Sequence, residues 1–249
     1  MTAGGPLLVV DTATTHALVA LGTPAGDLIE GRAWPAGYRH GEELLIRLEA
    51  LLAAHGVAPA DLGGLVVGTG PGAFTGLRVG IATVKGLAHA LALPVAGVAT
   101  GAALIAAAVA ASDAADAPDA SGTGVAPGTG ADPATVVLLQ PAGPSDRVVT
   151  RTGEPSRIVP GGTEPALRRG DLVVAVDLDG RAPADAVARG DAARERLAAA
   201  LLAAGARRLA AGDADDLARL VPEYVTLPRG VRAAPADGGV ELSGGGRRR

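Results

Sequence analysis

Cysteine is absent from the 249 residues, and lysine occurs once, at Lys85. Without cysteine there is no disulfide and no thiolate metal ligand. Aromatic residues make up 2% of the chain, so a core has to be built from Ala, Val and Leu, which the 48% hydrophobic content allows. A net charge of −4 argues against a broad nucleic-acid-backbone surface on this chain alone. The scarcity of lysine beside many arginines, alanines and glycines reads as compositional bias rather than function. No basic segment precedes an apolar stretch at the N-terminus, and the Ala-rich runs break before the ~20 apolar residues of a membrane span. A soluble, cytoplasmic protein is expected.

What is present is a regular alternation. LLVVD (7–11) and ALVAL (17–21) are apolar runs joined by the short polar TATTH, the pattern of a hairpin. A third strand is expected over 27–34. Leu44, Leu45, Leu48, Leu51 and Leu52 recur at helical spacing over 41–55, with Gly56 as a stop. A strand over 65–68, a helix over 76–92, a strand over 94–98 and a helix over 101–111 follow. This β-β-β-α-β-α-β-α order indicates an α/β fold with a mixed sheet and helices packed on it. Residues 112–133 are Ala, Asp, Gly, Pro, Ser and Thr apart from one Val, which reads as a flexible low-complexity loop. Strands over 134–140 and 171–177, a helix over 194–206 and an extended segment over 222–230 complete the pattern. The expected division is a first subdomain over 6–106, a smaller second one over 134–228 whose last helix packs back on the first, and a disordered tail over 229–249. No sequence repeat is evident.

The most distinctive stretch is VVGTGPGAFTGLRVGIATVKGLA, residues 66–88. It is not a Walker A loop, because no Gly-Lys-Ser/Thr follows at the required spacing. Gly68, Gly70 and Ala73 satisfy a relaxed G-x-G-x-x-A. A dinucleotide site would add an acidic residue about 20 positions on, whereas none occurs between Asp61 and Asp113. Tight strand-to-helix packing is the simpler role for these glycines, and an anion site at the helix N-terminus stays open. A vestigial nucleotide or phosphate site would comprise Asp11, Thr12, Thr14, Thr15, Gly70, Gly72 and Thr75. The alternative is a polar turn in which Asp11 caps backbone amides.

In the following helix, Leu77, Ile81, Val84, Ala88 and Leu91 form a buried stripe. Arg78, Lys85 and His89 form a second stripe, suited to an interface rim or to phosphate contact, or simply to a solvated face. Gly76, Gly80, Thr83 and Gly86 leave another surface small. Each helical glycine costs about 1 kcal/mol relative to alanine, so close approach of another helix is the expected compensation. Leu44, Leu45 and Leu48 join these four as candidate partner contacts. His16, His40, His55 and His89 form neither H-x-x-x-H nor H-E-x-x-H, and no G-x-S-x-G elbow occurs, so no catalytic or metal-binding constellation emerges.

VVDTATTHALVAL, RHGEELL and VGTGPGAFTGLRVGIATVKGLAHALALPVAGV together closely resemble the bacterial TsaB (YeaZ) family. The resemblance is dense over 7–105, weak over 106–190, and returns in PEYVTLPR. It implies an actin-like, Hsp70-like (ASKHA) fold of two RNase H-like subdomains. It also implies a non-catalytic activator role in forming N6-threonylcarbamoyladenosine on tRNA adenosine 37, beside a TsaD-like catalytic subunit. A TsaE-like ATPase and tRNA would join through the complex, ATP and a metal ion would sit in the catalytic partner, and the chain alone would form a homodimer. No cofactor is assigned to this chain. Thr100 and Leu104 stand where the catalytic relatives carry two metal-binding histidines. Thr69 and Ala73 replace an Arg and a Ser of the family's glycine block. On this reading Arg78, Lys85 and His89 contact tRNA or rim the interface. The rivals are an ASKHA-type small-molecule kinase using Asp177 or Asp179 as base, and a peptidase, which the missing histidine pair disfavours.

Overall fold

The computed structural model of the protein describes residues 4–36, 40–115 and 135–225. Most of the 112–133 loop and the whole 229–249 tail lie outside the described residues.

Five strands form the first sheet, in the order β3-β2-β1-β4-β5. They are β1 (Leu7–Asp11), β2 (His16–Gly22), β3 (Leu28–Pro35), β4 (Gly64–Gly70) and β5 (Val95–Ala99). The hairpin β1–β2 is antiparallel with Leu8 opposite Leu21, β2–β3 is antiparallel, and β1–β4 and β4–β5 are parallel. β1 and β4 read as continuous apolar runs because both faces are covered. Leu8, Val10, Leu65 and Val67 pack with α1 (His40–Ala54) and α2 (Phe74–Leu91). Leu7, Val9 and Val66 pack on the opposite face with α3 (Thr100–Ala115) and α5 (Leu197–Ala210). Gly205 of α5 allows this contact to be close, since a Cβ there would overlap the Val66 methyls.

The second sheet has the order β8-β7-β6-β9, from β6 (Val136–Pro141), β7 (Arg147–Arg151), β8 (Arg157–Val159) and β9 (Leu172–Ala175). Its connections repeat those of the first: an antiparallel meander of three strands whose first member pairs in parallel with the fourth. α3 lies between the two sheets, with Leu104, Val66, Leu138 and Val174 in one core. α4 (Ala184–Glu195) runs along β9 and packs against α3: Ala186 joins Val137, Leu139 and Leu178, whereas Ala193 joins the core around α3.

The α/β class with mixed sheets is as the sequence indicates. The repeated strand plan has no counterpart in the sequence pattern, and neither do β7, β8 and α4. β7 (RVVTR) begins and ends in arginine, β8 has three residues, and α4 is mostly Ala, Asp and Arg. The helix expected over 194–206 is two helices, parted at Arg196. No helix among the described residues is long and apolar enough to cross a membrane.

Candidate functional site

The residues flagged as a phosphate site converge at the C-terminal ends of β1 and β4. Asp11 is fully buried and accepts hydrogen bonds from the Ala13 amide (3.0 Å) and the Thr100 hydroxyl (2.6 Å). Burial pushes its carboxyl above the ordinary range, and the nearby Asp177 charge adds to this, while the two hydrogen bonds oppose it. The Thr12 hydroxyl donates to the Gly76 carbonyl (2.7 Å), and that of Thr14 to the His16 carbonyl (2.8 Å). Ala73 donates its amide to the Ala13 carbonyl (2.8 Å).

The glycines make these contacts possible. A Cβ at Gly68 would overlap the Asp11 carboxylate, at Gly72 the Ala13 carbonyl, and at Gly80 the Thr12 hydroxyl. Gly70 has φ +103°, a conformation that side chains disfavour. The glycine loop is thus locked onto the β1–β2 turn by backbone contact, and the turn's hydroxyls are used internally. Beside the loop a cavity of about 50 Å³, lined by Pro71, Gly72, Phe74 and Tyr224, is well below the ~300 Å³ of a small-molecule site. A larger cavity of about 710 Å³ lies at the opposite end of the first sheet, against Leu7, Leu62, Leu91 and Leu209, and no titratable side chain among the described residues lines it.

Thr15, the last of the flagged turn residues, faces the second sheet. Asp177, just beyond β9, accepts from the Thr15 amide (2.7 Å) and the Thr15 hydroxyl (2.6 Å). Arg194 of α4 lies 3.7 Å from Asp177 and donates to Nδ1 of His16 (2.9 Å). Asp177 is therefore tied into a clamp, and Asp179 is exposed in the next turn. Asp177 thus does not stand as the free base that the kinase reading needs. Thr75 is exposed in the first turn of α2. Among the described residues, no group of three His, Cys, Asp or Glu side chains could hold a metal ion.

The expected partner face needs correction. Leu44 (1% exposed) and Leu48 (6%) belong to the core beneath α1. Gly76 and Gly80 are also buried, turned towards Thr12 rather than outward. Of the expected stripe, Leu77, Ile81, Val84 and Ala88 are buried and Leu91, at the end of the helix, is half-buried, and Gly76 and Gly80 beside it serve the same inward face. The surface of α1 and α2 instead presents Leu45 (53% exposed) and Ile46 (67%), with Ala82, Gly86 and Ala90, and Thr83 half-buried. Ile46 is hidden in the sequence because the Leu pattern draws attention to the buried stripe. Lys85 is half-buried and His89 exposed on α2. Arg78 is not a loose cation: it stacks over Phe74 (3.8 Å) and its Nε donates to the Tyr224 hydroxyl (3.0 Å).

Tyr224 belongs to a C-terminal segment that the sequence marks only as extended. Asp215 donates its amide to the Val95 carbonyl (2.8 Å) and takes the Gly97 amide on its side chain (2.6 Å), while Arg208 donates to the Gly97 carbonyl (2.6 Å). The open edge of β5 is thereby capped. Glu223 then bonds Thr69 (2.7 Å), which brings Tyr224 onto Phe74.

A mixed-sheet α/β architecture of this kind defines the structural class, and solved structures share it. YeaZ from Pseudomonas aeruginosa superposes with a TM-score of 0.61 at 22% identity, covering 88% of this chain and 99% of that one. In sequence, the chain is similar to the TsaB (YeaZ) proteins. It is 35% identical over 94 residues to the tRNA threonylcarbamoyladenosine biosynthesis protein TsaB of Escherichia coli, covering 38% of this chain and 40% of that one. An uncharacterized protein of Mycobacterium tuberculosis is 41% identical over 101 residues, 37% of this chain and 44% of its own length. The sequence model of the family described as TsaD, tRNA N6-adenosine threonylcarbamoyltransferase, matches residues 35–122. The matched segment thus spans less than half of these curated relatives.

Proposed function

We propose that the chain is a non-catalytic partner subunit in N6-threonylcarbamoyladenosine modification of tRNA, docking on a TsaD-type threonylcarbamoyltransferase and activating it. The observation that carries this reading is the exposed apolar pair Leu45 and Ile46 on α1, together with the small exposed positions Ala82, Gly86 and Ala90 on α2, the helix α1 packs with. Two large aliphatic side chains on a helix next to a smooth neighbouring helix suit a helix-on-helix interface. Glu42 and Glu49 lie on the outside of α1, and Arg78, Lys85 and His89 belong to α2. A surface of this kind suits a partner with a similar pair of helices, and permits a two-fold homodimer when the chain is alone. The match to the TsaD family model, over residues 35–122, takes in the segment that contains this surface.

The hydroxyls of the β1–β2 turn are engaged within the chain, which supports placing ATP, the metal ion and the transferred group on the partner. A TsaE-type ATPase and tRNA join through the complex, in the cytoplasm. The test is threonylcarbamoyl transfer to tRNA in a reconstituted mixture, with this chain alone, omitted, and restored beside the TsaD-type subunit. Product that requires both supports the proposal. Product from this chain alone, or undiminished product without it, contradicts it.

A further inference from the structure

The β1–β2 turn retains one outward pair of donors, and the protein fills it with its own acid. The amide and hydroxyl of Thr15 point the same way and meet the two oxygens of a single carboxylate, Oδ2 of Asp177 at 2.7 Å and Oδ1 at 2.6 Å. Two parallel hydrogen bonds to one anionic group are how a turn grips a phosphate or carboxylate ligand. Arg194 adds positive charge beside the same carboxylate: its Nη2 stands 3.7 Å away while donating to Asp191 (2.9 Å), and its buried Nε meets no partner among the described residues. A backbone donor, a hydroxyl and a guanidinium are thus assembled around one anion.

The anion is held at a conformational cost. Asp177 has φ +58°, in the left-handed region that residues other than glycine seldom occupy. Such backbone persists where surrounding contacts over-determine it. Here the contacts include the bonds to Thr15, 162 positions away in the chain, so the carboxylate also fastens the second sheet's loop to the first sheet's turn.

We propose that Asp177 is an internal anion that occupies a phosphate-type seat on the β1–β2 turn, excluding free phosphate groups from this chain and holding the two sheets closed over it. The proposal concerns this chain alone and does not depend on the partner assigned above. Removing the carboxylate without straining the backbone opens the seat. Gly is the natural replacement, because φ +58° suits it.

The test uses the full chain and inorganic phosphate. Calorimetry or phosphorus NMR compares wild type with Asp177→Gly, and amide hydrogen exchange follows Thr15. The expected result is phosphate binding by Asp177→Gly at least roughly tenfold tighter than by wild type. Exchange at the Thr15 amide rises in the variant and falls again when phosphate is added. Thr15→Val in the Asp177→Gly background abolishes the gain. A folded Asp177→Gly protein that binds phosphate no better than wild type overturns the proposal, as does binding that survives Thr15→Val. If Asp177→Gly does not fold, Asp177→Asn is read by the same measurements. Asn loses the charge and one acceptor, so Thr15 exchange has to rise and phosphate has to restore it; unchanged Thr15 protection refutes the seat.

Discussion

The two sheets of this protein share a strand plan yet are held together by different means. In the first, the site at the strand ends rests on missing side chains: Gly68, Gly72 and Gly80 let a carboxylate, a carbonyl and a hydroxyl approach the backbone. Its buried acid, Asp11, has hydroxyl and amide partners and, among the described residues, no paired cation. In the second, the comparable buried acid is paired: Arg151, 4% exposed at its side chain, meets Asp171 at 2.7 Å, and its second nitrogen donates to the Ala166 carbonyl. Burial without a counter-ion raises a carboxyl's pKa, and a hydrogen-bonded guanidinium lowers it. The comparison shows that one chain topology tolerates opposite electrostatic solutions, one built on close backbone packing and the other on an ion pair.

The largest expected effect tests the packing. Gly68→Ala forces the Asp11 carboxylate out of its two hydrogen bonds and lowers the unfolding free energy by about 3 kcal/mol in urea denaturation. Gly190→Ala probes the second sheet, where a Cβ would overlap the Ala175 carbonyl of β9, with an expected loss of about 2 kcal/mol. A loss at Gly68 below roughly 0.5 kcal/mol would mean that Asp11 swings aside easily and that the turn is not locked.

The two acids sharpen the contrast through pH. Burial raises Asp11, so the folded protein keeps a proton that the unfolded chain releases near pH 4. Stability from this group is greatest at low pH and falls as pH rises through its raised pKa. Hydrogen bonding from Arg151 first, then from the Arg168 amide, lowers Asp171. Its contribution is present above about pH 4 and is lost as pH falls through the lowered pKa. Urea midpoints measured from about pH 2 to about pH 7 bracket the ordinary carboxylate values. Across that range Asp171→Asn should flatten the acid limb, and Asp11→Asn should flatten the decline above it. Slopes changed in the same direction would erase the distinction.

The smallest effect concerns the outer face of α2. A methyl placed on Gly86 would have nothing within 4 Å, so Gly86→Ala should raise stability by about 0.5–1 kcal/mol. Thermal unfolding checks it, and a decrease would show that the position is already packed.

The first sheet was legible in the sequence because its strands are uninterrupted apolar runs and its helices carry clean stripes. Leu77, Ile81, Val84 and Ala88 lie where their spacing puts them. The same clarity misdirected the partner face: Leu44 and Leu48 share the periodicity of the core, and only burial separates them from Leu45 and Ile46. Gly76 and Gly80 showed that something comes close, but composition could not tell a neighbouring helix from the chain's own Thr12. In the second sheet β6 and β9 were legible as apolar runs, but β7 and β8 stayed hidden because they are short and open on Arg, and the pairing of Arg151 with Asp171 spans 20 residues that carry no local signal. The Thr15–Asp177 clamp, spanning 162 residues, is a product of the fold.

The most direct test of the partner face is threonylcarbamoyl transfer to tRNA by the reconstituted mixture when this chain carries Ile46→Glu. Ile46 is 67% exposed and outside the core, so the variant should fold with unchanged stability. Weakened docking requires at least a roughly tenfold loss of activity at limiting concentration, recovered as the variant is added in excess. Full activity from Ile46→Glu at limiting concentration would contradict the assignment of the α1–α2 surface as the partner face.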